Sequence, residues 1–255
     1  MAITLNLQKS QAALQLNLQK AGIITPPSVE MMFILDVSGS FETEHINGTT
    51  NDLITRLVPW GMTFDPDKKL DLLTFSNGPN SVQNVGPVTD ANYKDFVKKN
   101  IINKVEGWNG GTDYSYALEE SLKEFGWIGE GIGGAAPAEK PGFFGKLFSK
   151  KETPAITAPT SQKRKSLVIF VTDGENSDRD RTTKILQESE NRHDGCYFLF
   201  IGVGHGNFSY LKQAGDKFAN TAFYEIKDLK KFISMSDEDL YGELMQEELM
   251  SWMKS

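Results

Sequence analysis

The chain has a single cysteine, Cys196, and only three histidines in 255 residues. One cysteine excludes an intrachain disulfide and a cysteine zinc site. It sits in the apolar run Cys196-Tyr-Phe-Leu-Phe-Ile201, which predicts a buried core thiol rather than a nucleophile. Positive charge is short as well. With 27 Lys and Arg against 34 Asp and Glu the net charge is −7, so the cationic excess that nonspecific nucleic-acid binding needs is missing. No nucleic-acid partner is expected. No apolar run approaches the ~20 residues of a bilayer span. Asn6, Gln8, Lys9 and Ser10 interrupt the stretch where a secretory apolar region could lie. The expectation is a chain without a transmembrane segment, in a reducing cytoplasm. Hydrophobic content of 39% with 24% charged residues suits a globular domain with a sizeable core, diluted by flexible stretches.

What is present begins with a short repeat. Leu5-Asn-Leu-Gln-Lys9 recurs eleven residues on as Leu16-Asn-Leu-Gln-Lys20. The Leu-Asn-Leu alternation suits a strand with one apolar face, whereas a spacing near three helical turns suits an amphipathic helix. Both readings stand, and Pro26-Pro27 ends the segment. From Glu30 onward, apolar runs alternate with helical periodicity. Strands are predicted over residues 31–35, 70–75, 166–171, 197–203 and 222–226, with a short edge strand over 81–85. Helices are predicted over 51–64 (which Pro59 should kink or end), 91–101, 114–125, 179–191, 208–214 and 229–233. An acidic amphipathic helix follows over 237–254.

Strands separated by helices imply an α/β fold, a Rossmann-like, doubly wound and mostly parallel sheet with helices on both faces. The expected organisation is an N-terminal repeat extension (1–27), the α/β domain (28–233) and a C-terminal acidic helix (234–255). Within the domain, residues 127–165 carry Gly129, Gly131, Gly133 and Gly134, then Pro137, Pro141, Pro154 and Pro159. Helix-to-strand connections usually take ~2–6 residues, so this stretch reads as a flexible insertion. Inside it, Phe143-Phe-Gly-Lys-Leu-Phe-Ser-Lys-Lys151 joins four large apolar side chains to three lysines. It suits either a docking motif for a membrane surface or partner groove, or a solvated loop.

The chemistry sits in three short segments, distinguished by where they fall. Asp36-Val-Ser-Gly-Ser40 directly follows the first buried strand, Thr172-Asp-Gly174 follows the strand begun at Ser166, and Gly110-Gly-Thr-Asp113 precedes a helix. In open parallel sheets, ligands bind outside the carboxyl ends of strands where strand order reverses. If the 31–35 and 166–171 strands flank that reversal, Asp36 and Asp173 face one crevice. Asp36, Ser38, Ser40, Thr112 and Asp173 together offer only hard oxygen, two carboxylates and three hydroxyls. Mg²⁺ takes such donors, with Mn²⁺ or Ca²⁺ as substitutes, while zinc would look for nitrogen or sulfur. Gly39 is expected to let the loop bend, and Gly110-Gly111 to bring backbone close before Thr112. Glu42, Asp113, Glu175 and Asp178 read as acidic rim residues, and His45, His193 and His205 as surface or loop residues. Gly202-Val-Gly-His-Gly206 lacks the full Gly-x-Gly-x-x-Gly and reads as a strand-end turn.

In order and strand context, Asp36-x-Ser38-x-Ser40, Thr112 and Asp173 resemble the metal-ion-dependent adhesion site of von Willebrand factor A domains, over roughly residues 30–233. The resemblance implies that Ser38, Ser40 and Thr112 coordinate the ion closely and that Asp36 and Asp173 hold it directly or through water. It also implies that an acidic group from a protein partner completes the shell. Asn109-Gly-Gly-Thr-Asp-Tyr-Ser115 and the doubled Leu-Gln-Lys element further resemble bacterial tellurium-resistance (Ter) proteins that carry such a domain. That narrower resemblance implies a setting of tellurite or toxic-anion resistance or stress response. The function so implied is Mg²⁺-dependent protein binding, not catalysis. Two alternatives stay open. One is a Mg²⁺-dependent phosphoryl-transfer enzyme, although the haloacid-dehalogenase arrangement needs an aspartate where Ser38 stands. The other is a scaffold whose metal only stabilises the domain.

Overall fold

A computed structural model describes residues 6–129 and 165–255. Most of the expected insertion, and the whole of its 143–151 motif, lies outside the described residues.

Six strands form one sheet: β1 (Glu30–Asp36), β2 (Leu70–Phe75), β3 (Gln83–Val88), β4 (Ser166–Thr172), β5 (Cys196–Val203) and β6 (Thr221–Ile226). Their order is β3-β2-β1-β4-β5-β6, all parallel except β3, which runs antiparallel to β2 at one edge. Strand order reverses between β1 and β4, the two strands that carry Asp36 and lead into Asp173.

The buried runs are explained by period-two alternation on a sheet covered twice. Met31, Phe33 and Leu35 of β1 enter one core with Leu167, Ile169 and Val171 of β4 and Leu199 and Ile201 of β5. Met32 and Ile34 enter the other, with Val168, Phe170, Phe198, Phe200 and Cys196. The first face is covered by α1 (Leu7–Lys20), α3 (Thr49–Phe64), the short α4 (Phe96–Asn100) and the terminal α8 (Leu229–Ile233), α9 (Asp237–Leu244) and α10 (Glu247–Lys254). The second is covered by α5 (Ser115–Glu124), α6 (Arg179–Arg192) and α7 (Ser209–Lys217). A last short helix, α2 (Glu42–Ile46), sits just after the first candidate loop.

From Leu7 onward the N-terminal repeat is helical, so the strand reading gives way. Asn6 caps α1 by accepting from the Lys9 N–H at 3.1 Å, and Leu14 and Leu18 are fully buried in the first core. Ser10 Oγ donates to Asp237 Oδ2 at 2.8 Å and Asn17 Nδ2 to the Glu238 carbonyl at 3.0 Å, so α1 is fastened to α9.

Two helix expectations need correction, and a third is narrowed. Of the two outcomes expected at Pro59, an end is excluded, because α3 continues to Phe64. The bond lost to the Thr55 carbonyl is outweighed by the burial of Leu57, Val58, Trp60 and Phe64. Of the helix expected over 91–101 only α4 forms. Asn92 instead closes a turn with Thr89 and Pro87, and Asp95 adopts a left-handed φ of 56°. The helix expected over 237–254 is two, because Gln246 is extended at φ −61° and ψ 164°.

Candidate metal centre

Strand order reverses between β1 and β4, where ligands bind in open parallel sheets, and the three segments meet at the carboxyl ends of these two strands. Asp36 is the last residue of β1 and is fully buried. Its Oδ1 accepts the Ser38 N–H at 2.7 Å, and its Oδ2 accepts the Thr172 hydroxyl at 2.6 Å. Ser38 and Ser40 hold their hydroxyl oxygens 3.2 Å apart, and Ser40 Oγ donates to Asp173 Oδ1 at 2.9 Å. Four of the five expected residues thus form one hydrogen-bonded chain. Thr112 is brought alongside by its backbone. Asn109 N–H donates to the Val37 carbonyl at 2.9 Å, Gly39 N–H to the Gly110 carbonyl at 3.1 Å, and Ser177 N–H to the Thr112 carbonyl at 2.9 Å. The segment is therefore stitched to the first loop on one side and to the loop after β4 on the other.

Crowding explains two of the glycines. A Cβ on Gly110 would lie 2.5 Å from Asn77 Oδ1 and 2.6 Å from Ser76 Oγ, so a side chain here would have to displace both. A Cβ on Gly206 would lie 2.4 Å from the Asp173 carbonyl, which explains why the strand-end turn after β5 is glycine-rich. Gly39 is different. It has no left-handed φ, and its nearest would-be contact is at 3.5 Å, so the loop does not depend on its freedom.

The charge state follows from burial. Desolvation pushes the Asp36 carboxyl up to about 7, against its hydrogen bonds from Thr172 and Ser38, and the Asp173 charge adds to the rise. Asp173 is raised for the same first reason, with Glu44 adding repulsion and Ser40 opposing it. Among the described residues, none of the main influences on either carboxylate is a cationic side chain. Two carboxylates raised by burial and by acidic neighbours, beside the Ser38 and Ser40 hydroxyl oxygens, make a donor set that fits a hard divalent cation. No three His, Cys, Asp or Glu side chains gather into a cluster among the described residues. The set therefore depends on its hydroxyls.

Several supporting residues escaped the sequence reading. His45, expected at the surface, is 1% exposed. Its Nε2 lies 2.9 Å from the Asp36 carbonyl oxygen and its Nδ1 3.0 Å from Thr50 Oγ1, while burial pulls the imidazole down to about 4. Asp178 does more than line the rim. It accepts from the Tyr114 and Ser115 N–H groups at 3.0 and 2.9 Å, capping α5 from the neighbouring loop. Asp113 accepts from Gly78 N–H at 2.8 Å, and Glu42 from Asn109 Nδ2 at 2.9 Å, so both tie loops together. Tyr114 is fully buried, and its hydroxyl donates to the Gly174 carbonyl. An aspartate before a helix was the one available signal, and it pointed to the wrong helix. The rest lie on pairings remote in sequence.

Comparison with known proteins agrees with this architecture. The family model described as the von Willebrand A domain found in the TerF C terminus matches residues 28–126 and 147–255. An uncharacterized protein of Bacillus subtilis (strain 168), YcbR, is 22% identical, covering 98% of this chain and 87% of its own length. Among solved structures, a von Willebrand factor type A protein from Catenulispora acidiphila aligns with a TM-score of 0.54 at 14% identity, over 86% of this chain and 43% of its own. Proximal thread matrix protein 1 from the mussel byssus, in a structure with a zinc-occupied MIDAS (metal-ion-dependent adhesion site) motif, aligns with a TM-score of 0.48 at 15% identity, over 86% and 49%. The chain thus spans less than half the length of these two solved chains. With the family model covering well over half of its residues, the chain belongs to the von Willebrand factor A domains of the TerF C-terminal type.

Proposed function

We propose that this chain is a metal-dependent protein-interaction module. Asp36, Ser38, Ser40, Thr112 and Asp173 hold one Mg²⁺, and the ion is the docking point for a carboxylate of a protein partner. The observation that carries this reading is the fully buried Asp36 carboxylate, raised by burial and by Asp173 and held among serine and threonine hydroxyls, with no cationic side chain among its main influences within the described residues. When bound, Mg²⁺ supplies the countercharge and keeps coordination positions for water or a ligand oxygen. Binding is favoured over catalysis because both Asp36 oxygens are engaged by fixed donors, and Ser38 stands where a phosphoryl-transfer site of the haloacid-dehalogenase type needs a second aspartate. Membership of the TerF-type family supports a setting in tellurite or toxic-anion resistance or stress response.

Calorimetric titration of Mg²⁺ into wild type and Asp36→Ala tests the site. Capture of a defined partner in Mg²⁺ against EDTA then tests its use. Wild type is expected to bind Mg²⁺ and Asp36→Ala to lose it. Capture by wild type that is undiminished in EDTA would refute the interaction reading, and metal-dependent turnover of a phosphate ester would replace it with the enzymatic one.

A further inference from the structure

We infer that His45 is a positioning residue for the metal loop. Its imidazole clamps the Asp36 peptide and thereby fixes how Ser38 and Ser40 face the ion. The inference rests on the metal reading above and concerns a side chain outside the ligand set.

His45 lies on α2, nine residues after Asp36, and is almost fully buried. A carbonyl oxygen can only accept a hydrogen bond. The 2.9 Å contact with the Asp36 carbonyl therefore requires the proton on Nε2. In the neutral ring Nδ1 is then an acceptor, and the Thr50 hydroxyl at 3.0 Å is its donor. The other acceptor within reach of that hydroxyl, the Glu44 carbonyl, is longer at 3.4 Å. One tautomer satisfies both ring nitrogens.

The bond closes residues 36–45 into a ring, and Ser38 and Ser40 are members of it. Inside the ring, Ser38 N–H reaches Asp36 Oδ1 at 2.7 Å and Phe41 N–H reaches the Ser38 carbonyl at 3.1 Å. The imidazole is held between aromatic neighbours. Phe41, on the same loop, has its ring centroid 5.0 Å away, and Trp108 has its own at 5.4 Å. Trp108 directly precedes Asn109, whose N–H bonds the Val37 carbonyl at 2.9 Å. One side chain thus touches the first loop, the start of α3 through Thr50, and the segment that leads to Thr112.

Mg²⁺ demands near-octahedral oxygens, so a loop whose hydroxyls drift loses affinity steeply. Groups that orient metal ligands from outside the shell typically affect affinity by ~10–100-fold. His45 occupies that place through the backbone of Asp36, and through the loop it closes.

The test uses the full chain. The amide nitrogen of Gln stands as many bonds from Cβ as the imidazole Nε2, whereas that of Asn reaches only as far as Nδ1. His45→Gln therefore keeps the donor to Asp36, while His45→Asn and His45→Phe lose it, the latter retaining a ring between Phe41 and Trp108. Calorimetry is expected to show Mg²⁺ affinity lowered by ~10–100-fold in the Asn and Phe variants and largely recovered in the Gln variant. The rise in unfolding temperature on adding Mg²⁺ should shrink in the first two and persist in the third.

A merely structural role predicts something else: lower metal-free midpoints in all three variants with the Mg²⁺ increment unchanged, and that result overturns the inference. So does a folded His45→Gln that binds no better than His45→Asn. If the Asn and Phe variants do not fold, Thr50→Val removes the donor to Nδ1 while leaving His45 in place. Its affinity should fall in the same direction, and an unchanged value overturns the inference. Absence of Mg²⁺ binding by wild type removes the metal reading and this inference together. Equal binding by wild type and a folded His45→Asn removes this inference alone.

Discussion

The Thr172 hydroxyl donates to Asp36 Oδ2 at 2.6 Å, joining residues 136 apart in sequence across the neighbouring strands β1 and β4. This bond gives the fully buried carboxylate its second donor, after the Ser38 N–H. Thr172→Val keeps the branched shape and removes the donor, leaving a buried oxygen unpaired. The metal-free protein is expected to lose about 1–3 kcal/mol. Urea unfolding checks this, with a lower midpoint and an unchanged slope.

Asp36 makes the metal-free protein sensitive to pH in an unusual direction. Burial raises its carboxyl from the ordinary 3.8 to about 7, so between those values the folded state holds a proton that the unfolded state has released. Stability without metal should fall as pH rises through that window and level off above it. Mg²⁺ needs the carboxylate, so its affinity should rise with pH over the same range and its binding should release a proton. Calorimetry in two buffers of different ionisation enthalpy measures that proton. Affinity independent of pH between 5 and 7 would contradict the assignment.

Ser38→Ala and Thr112→Ala should weaken Mg²⁺ binding at least about tenfold, since a direct oxygen donor matters no less than a group outside the shell. Far-UV circular dichroism should not change, because the backbone bonds of Ser38 and Thr112 survive both substitutions. Unfolding of either variant would show the hydroxyl to be structural.

Gly110→Ala and Gly39→Ala form a matched pair. The new Cβ meets Asn77 and Ser76 oxygens at 2.5 and 2.6 Å in the first case, and nothing closer than 3.5 Å in the second. Gly110→Ala should cost about 1–3 kcal/mol and lower Mg²⁺ affinity by displacing Thr112. Gly39→Ala should change stability little. Thermal unfolding of both, with and without Mg²⁺, separates them.

Asp178→Ala should destabilise by about 1–2 kcal/mol by uncapping α5. Burial pushes the Asp178 carboxyl up, but the donors from Ser115, Asn176 and Tyr114 outweigh it and hold the group below its ordinary value. Its contribution is therefore present above the usual carboxylate range and lost as pH falls through the lowered value, the opposite sense to Asp36. Denaturant curves of wild type and variant should converge in strong acid.

Much of the sheet was legible because parallel strands buried on both faces leave unbroken apolar runs, as at β1, β4 and β5. The candidate site was legible because Asp36-x-Ser38-x-Ser40 and Thr172-Asp-Gly174 follow two such runs directly. The N-terminal repeat was not, because Leu-Asn-Leu fits both periodicities. Burial of Leu14 and Leu18 against α3 and α9 decided for the helix. The break at Gln246 carries no proline or glycine, so only packing could reveal it.

By itself, then, the sequence determined the strand runs, the α/β class and the oxygen chemistry of Asp36, Ser38, Ser40, Thr112 and Asp173. Each of these is written in residue type and local period. The tertiary structure alone decided which strands flank the reversal, that Thr172 and His45 grip Asp36 from opposite ends, and that Asp178 caps a helix other than the one it precedes. Those facts are contacts between different elements of the fold, most of them remote in the chain. A hydrogen bond across β1 and β4, or from α2 back to β1, depends on where folding places two backbones, and no local pattern encodes that.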